Sequence, residues 1–262
     1  MPDSQPFTFN YPLLVAHRGF RAKYPENTMI AFKAGVDAGA QMVELDVQLT
    51  RDHEVVVIHD DTLDRTTNGK GPVDDYTLTD LKKLDAGHWF DPRFAGEQIP
   101  TLREVLRQLS HRVLINIEIK SDIEQNTPVS GVIEEKVLDL LKREDAFSAV
   151  LISSFDPRII EKIKGTNNLL AVAFISETTE GEKTVNFCRG LNVFSFHPNF
   201  LSVDKTVVEG MHEAGVHVFP YNVNSKLEFQ RLIDTGADGL ITDEPLLFKK
   251  WHARLTTHQS AH

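Results

Sequence analysis

Val113-Leu114-Ile115-Asn116-Ile117-Glu118-Ile119-Lys120 is a short aliphatic run whose last positions turn charged. Its length and branched side chains predict a strand buried on both faces, as in a parallel sheet. Side chains alternate along an extended chain, so Asn116, Glu118 and Lys120 share one face, predicted to be the inside of a barrel. Comparable runs occupy residues 13–16, 42–49, 150–153, 171–175, 193–196, 216–221 and 239–242, which makes eight. Amphipathic stretches separate them, for example 28–37 with Asn27 as N-cap, 102–109 after Thr101, and 129–142. Gly39, Gly215 and Gly236 stand where such helices end in the left-handed conformation. Parallel strands joined by crossover helices read this way, and 262 residues suit an α/β fold of one kind, a distorted (β/α)8 TIM barrel.

Residues 55–58 break the rhythm. Only about five residues separate them from the preceding strand, too few for a parallel crossover, so an antiparallel hairpin turning at Arg51-Asp52-His53-Glu54 is expected. That hairpin carries His59 back beside Glu44. Residues 60–100 are polar, contain Gly and Pro, and hold one short helical stretch around 79–84, which predicts an insertion over the C-terminal mouth of the barrel. The whole chain, 1–262, reads as a single barrel domain without linker or low-complexity tract, and residues 258–262 as a frayed tail.

Composition excludes several classes of function. Hydrophobic residues at 41% and charged residues at 25% can form a core without disulfides or structural metals. A net charge of −10 opposes binding to nucleic acid and to anionic membrane surfaces. The single cysteine, Cys188, cannot form an internal disulfide, fits a reducing compartment, and is expected to be a buried apolar residue. Residues 1–12 lack a signal-peptide pattern and no run of about 18 apolar residues occurs, so a cytoplasmic protein without stable membrane insertion is expected. Nothing in the composition speaks to oligomeric state.

Glu44 and Asp46 project from one face of their strand, and two like charges so placed repel unless a cation or proton lies between them. Glu118 can join them. An oxygen-only set without cysteine favours a hard divalent cation, Mg²⁺ or Ca²⁺, over zinc; the plainer reading is charge pairing with Lys120 and Arg18. His17-Arg18-Gly19 combines a proton carrier, a bidentate phosphate donor and a residue that permits close backbone approach. His59 supplies a second imidazole, with Asp60 or a carbonyl to fix its tautomer, and two histidines flanking one phosphate provide a base and an acid. Phe155, Phe200 and Tyr221 follow strand ends and read either as substrate-pocket lining or as barrel core, Trp89 and Phe90 as an apolar lip, and His197 as mouth lining or packing. His53, His88, His111, His212, His217 and His252 read as surface or packing residues.

In order and spacing, His17-Arg18-Gly19, Pro25-Glu26-Asn27-Thr28, Glu44-Leu45-Asp46-Val47, His59-Asp60 and Glu118-Ile119-Lys120 resemble the glycerophosphodiester phosphodiesterases. The resemblance runs from residue 13 to about residue 248, and includes the insertion after His59 and the closing segment 236–245. One departure is Tyr221-Asn222-Val223-Asn224, where many members have Trp-Thr-Val-Asn. The resemblance implies hydrolysis of a small-molecule glycerophosphodiester to glycerol 3-phosphate and an alcohol. It further implies one divalent cation on Glu44, Asp46 and Glu118, His17 and His59 as general base and acid, Arg18 on the phosphate, and Lys120 on a phosphate or glycerol oxygen. Glu26 would act in support or simply start a helix. Rival readings are release of lysophosphatidic acid from lysophospholipids, an aldolase-type lyase with Lys120 as Schiff base, and a barrel that binds phosphate esters without catalysis.

Overall fold

A computed structural model describes residues 12–120 and 131–259. The N-terminal stretch before Pro12, the start of the helix expected at 129, and the tail from residue 260 lie outside the described residues. The chain runs β1 (Leu13–Ala16), α1 (Met29–Asp37), β2 (Met42–Leu49), β3 (Val55–Val57), α2 (Leu78–Leu81), α3 (Leu102–Leu109), β4 (Leu114–Ile119), α4 (Val132–Arg143) and β5 (Val150–Ser154). It continues through α5 (Pro157–Thr166), β6 (Ala171–Ser176), α6 (Glu182–Gly190), β7 (Ser195–Pro198), α7 (Lys205–Glu213), β8 (His217–Val218), α8 (Lys226–Thr235), β9 (Gly239–Thr242) and α9 (Pro245–Gln259).

Neighbouring strands follow the order β8-β7-β6-β5-β4-β2-β1-β9, all parallel, with β3 antiparallel on β2. The ends of the sheet approach each other: Asp238 N–H donates to Val218 O at 3.0 Å and Ile241 N–H to Pro220 O at 3.0 Å. This nearly closed ring is the expected distorted (β/α)8 barrel. No helix among the described residues is long and apolar enough to cross a membrane.

Among the boundaries that differ from the sequence reading, three have a clear physical cause. The N-cap of α1 is Thr28, whose hydroxyl accepts from Ala31 N–H, while Asn27 takes a left-handed φ of 56°. β7 begins at Ser195 because Val193 N–H turns back to Cys188 O at the end of α6. Regular pairing in β8 stops at Val218, since Pro220 has no N–H; the extended path continues through Phe219 N–H to Phe196 O and Tyr221 N–H to Pro198 O.

Leu13, Val15, Met42, Leu151, Ala171, Ala173, Phe219 and Ile241 form one apolar cluster, the plug that fills the barrel below its mouth. A larger cluster packs strands against helices and contains Cys188, whose thiol burial pushes up to about 12, so it is inert. Residues 60–100 carry a small core of their own, Leu63, Val73, Leu81, Ala86 and Ile99, seated on Val56 and Ile58. This segment is therefore docked on the hairpin that leads to His59.

Gly19 connects the end of β1 to α1. Its φ is +81°, and a Cβ there would lie 2.5 Å from the Ala31 carbonyl carbon. Gly19→Ala is expected to destabilise the fold by at least roughly 1–3 kcal/mol, the cost of the left-handed backbone alone, read as a lower urea midpoint. An unchanged midpoint would contradict this packing.

Candidate active site

Three carboxylates meet where the middle of β2 lies beside the C-terminal end of β4. Asp46 lies opposite Glu118 in the register and Glu44 opposite Asn116. One oxygen from each of Glu44, Asp46 and Glu118 falls within 4.8 Å of the others. Glu44 Oε2 accepts from the Arg18 backbone N–H at 2.8 Å, and Asp46 Oδ2 from Asn27 Nδ2 at 2.8 Å. Their other oxygens, Glu44 Oε1 and Asp46 Oδ1, are buried without a hydrogen-bond partner among the described residues. Burial, then the Asp46 charge, pushes Glu118 up to about 8; burial and both neighbours push Glu44 well above its usual value. Asp46 moves the other way: despite its burial, the charges of Arg18, Lys120 and His59 hold its carboxyl low. Lys120 Nζ stands 3.5 Å from Asp46 Oδ1, so charge pairing accounts for Asp46 but leaves Glu44 and Glu118 repelling it. Two orphaned buried oxygens beside a third carboxylate fit a hard divalent cation held by Glu44, Asp46 and Glu118.

The two histidines approach this point in the same manner. His17 Nδ1 bonds Asp243 Oδ1 at 2.7 Å and its Nε2 lies 3.9 Å from Glu44 Oε2. His59 Nδ1 bonds Asp60 Oδ1 at 2.6 Å and its Nε2 lies 4.0 Å from Asp46 Oδ1. A carboxylate accepting at Nδ1 holds a ring proton there and turns Nε2 toward the acids, where it can take a proton or, on the imidazolium, give one. Burial is the largest influence on both rings and lowers both, with Arg18 adding to it in each.

Arg18 is braced on both sides. Its backbone has a φ of 51°, its Nη1 donates to Glu26 Oε1 at 2.9 Å, and its Nε is 3.2 Å from Asp46 Oδ2. Glu26 is more than a helix start: Arg21 and Arg65 reach it as well, at 3.2 Å and 2.8 Å. Although burial opposes ionisation, hydrogen bonds from Arg65 and the surrounding charges hold Glu26 at about 2.

This constellation can be set beside known proteins. The model of the glycerophosphoryl diester phosphodiesterase family matches residues 17–247. The chain belongs to that family. A glycerophosphodiester phosphodiesterase of Caldanaerobacter subterraneus is 42% identical over 234 residues, 89% of this chain and 94% of the relative. One from Bacillus altitudinis is 37% identical over 88% of this chain and 94% of its own length. Among solved structures, an Oleispira antarctica phosphodiesterase in complex with the product sn-glycerol-3-phosphate is 27% identical, with a TM-score of 0.84, covering 93% of this chain and 97% of that one. The Thermotoga maritima glycerophosphodiester phosphodiesterase is 29% identical with a TM-score of 0.75, over 93% and 99%.

Within the span matched to the phosphodiesterase family, the remaining residues sort as follows. Phe155 and Tyr221, following β5 and β8, meet edge to face with centroids 6.1 Å apart, both half-buried. His59 and Lys120 open on a cavity of about 750 Å³ also lined by Gln48, Asp61 and Thr62. Trp89 and Phe90 continue a file of tilted and edge-on ring contacts with Phe94 and Tyr24, apart from the lining of that cavity. Phe200 packs on the outer core, and His197 bonds Ser195 Oγ at 2.9 Å and stacks on Phe219, a packing role that burial reinforces by lowering its pKa to about 3. His212 and His217, which lacked a partner in the sequence reading, both face Asp238, at 2.8 Å and 3.4 Å. Sequence reasoning missed four contributors: Asp243, Asn27, Asn222, whose amide sits 3.0 Å from His17 Nδ1, and Arg65. Barrel closure was the available signal for Asp243, because β9 pairs with β1 and so ends beside His17.

Proposed function

We propose that the protein hydrolyses glycerophosphodiesters to glycerol 3-phosphate and a free alcohol, with His17 as general base and His59 as general acid. The observation that carries this reading is the pair of carboxylate-backed imidazoles, each aiming Nε2 at the same acidic trio from about 4 Å. One divalent cation, Mg²⁺ or Ca²⁺, held by Glu44, Asp46 and Glu118, would neutralise charge developing on the phosphoryl oxygens.

The chain's own groups supply the proton transfers. A glycerol hydroxyl attacks phosphorus while His17 Nε2 takes its proton; the bond to the leaving alcohol breaks as His59 Nε2 protonates that oxygen. This gives a cyclic phosphate and the alcohol. Water then attacks the ring, passing its proton to His59, and the released glycerol oxygen regains a proton from His17. The Arg18 guanidinium, braced by Glu26, holds the phosphate, and Lys120 contacts a phosphate or glycerol oxygen. Phe155 and Tyr221 wall the substrate pocket. His59, more open than His17, faces the cavity of about 750 Å³, which gives the leaving alcohol its way out. The likeness to a phosphodiesterase solved with sn-glycerol-3-phosphate supports the substrate class.

Glycerophosphocholine is the direct test: glycerol 3-phosphate and choline are expected in equal amounts. Because His17 is only 9% exposed, the glycerol end sits in a confined place, and acylated lysophosphatidylcholine is expected to turn over more slowly. Release of choline without glycerol 3-phosphate would overturn the reaction; faster turnover of the acylated substrate would favour the lysophospholipid reading.

A further inference from the structure

Arg65 sits in the insertion, in a turn pinned by the fully buried Leu63 and by Thr67, whose hydroxyl donates to Leu63 O at 2.7 Å. Its guanidinium makes two forks. One grips Asp60, Nε to Oδ2 at 2.7 Å and Nη2 to Oδ1 at 2.9 Å; the other grips Glu26, Nη1 to Oε2 at 3.0 Å and Nη2 to Oε1 at 2.8 Å. Asp60 is the carboxylate that fixes His59. We infer that Arg65 is a positioning residue for the general acid: it clamps Asp60 so that His59 keeps its Nδ1 bond and its Nε2 aim.

The two grips are unequal in consequence. Glu26 retains Arg18 and Arg21 when Arg65 is lost, so the support of Arg18 survives. Asp60 has no other arginine or lysine partner among the described residues and is the more exposed of the two, at 26% against 3%. Freed from Arg65, its side chain is held only by the bond to His59, and the imidazole it orients gains the same freedom. The insertion thereby contributes to catalysis through one side chain that touches neither phosphate nor cation ligands. A bidentate guanidinium matches two carboxylates in fixed planes, which an ammonium cannot do.

This assignment rests on the phosphodiesterase reading, and leaving-group dependence tests it. Choline departs as a poor leaving group that needs a proton from His59; 4-nitrophenol departs readily without one. Wild type, Arg65→Ala, Asp60→Ala and the double variant are assayed on glycerophosphocholine and on the 4-nitrophenyl ester of glycerol 3-phosphate, with circular dichroism to verify folding. Arg65→Ala is expected to lower kcat on glycerophosphocholine roughly 10- to 100-fold, the usual cost of losing a residue that orients a catalytic group. In single-turnover release of 4-nitrophenol, which reads the first step before the ring opens, its loss is expected to stay below about threefold, since protonation of that leaving group is not needed. The double variant should be little worse than the poorer single variant, because both act through one imidazole. Equal losses on the two esters, multiplying effects in the double variant, or an Arg65→Ala enzyme with normal kcat would overturn the role. A wild-type protein that cleaves neither ester would instead remove the phosphodiesterase reading, and this assignment with it.

Discussion

His17→Ala and His59→Ala are each expected to lower turnover of glycerophosphocholine by roughly 10²- to 10⁴-fold, the range for removing a positioned general acid or base. Neither ring holds the phosphate, so the loss should appear in kcat more than in KM. The two variants should separate on a substrate with an acidic leaving group. In single-turnover release of 4-nitrophenol, which precedes ring opening, His59→Ala regains much of its lost rate, whereas His17→Ala does not, because the attacking hydroxyl still has to lose its proton. Near-normal kcat in either variant would mean that the proton transfer is made elsewhere. An equal rescue of both would mean that base and acid are not divided between the rings as described.

The second large effect concerns the carboxylates, and there function and stability should part. Glu118→Gln removes one of three repelling groups, and Glu118 is the one pushed up to about 8. Cation affinity is expected to fall by more than about 100-fold, beyond the 10- to 100-fold that supporting residues cost. The cation-free protein should become more stable, its melting midpoint rising about 2–4 °C for each kcal/mol of repulsion relieved. Asp46→Asn should lose cation affinity too, but with a lower midpoint. Asp46 pairs Arg18 and Lys120 and accepts from Asn27, and removing one partner of a buried pair leaves the others uncompensated. Calorimetric cation titration and thermal melts in chelator measure both quantities. Destabilisation by Glu118→Gln in the absence of cation would contradict a repulsive trio.

The parts of the molecule governed by local periodicity were legible. β1, β2 and β9 fall where the aliphatic runs predict, and the spacing after Leu49 was enough to reveal the hairpin. The i, i+2 rule also put Glu44 with Asp46 and Glu118 with Lys120. What escaped depended on contacts across the barrel. Asn27 looked like an N-cap because Asn often is one; Thr28 was the better cap, and Asn27 was taken by Asp46, a partner 19 residues away. Asp243 lies 226 residues from His17 and becomes its neighbour only when β9 joins β1. Arg65 lay in a stretch without strand or helix rhythm, where side-chain direction cannot be read from periodicity. Arg18 was read as a phosphate donor or as a charge partner of the acids, and part of its guanidinium does meet Glu26 and Asp46.

The claim at the centre is that Glu44, Asp46 and Glu118 hold a divalent cation between two imidazoles that move the protons of phosphodiester cleavage. Its most direct test is turnover of glycerophosphocholine by protein stripped with a chelator, followed by add-back of Mg²⁺, Ca²⁺ and Mn²⁺ one at a time. Turnover should vanish on stripping and return with at least one of these cations. Undiminished glycerol 3-phosphate production in chelator would contradict the account.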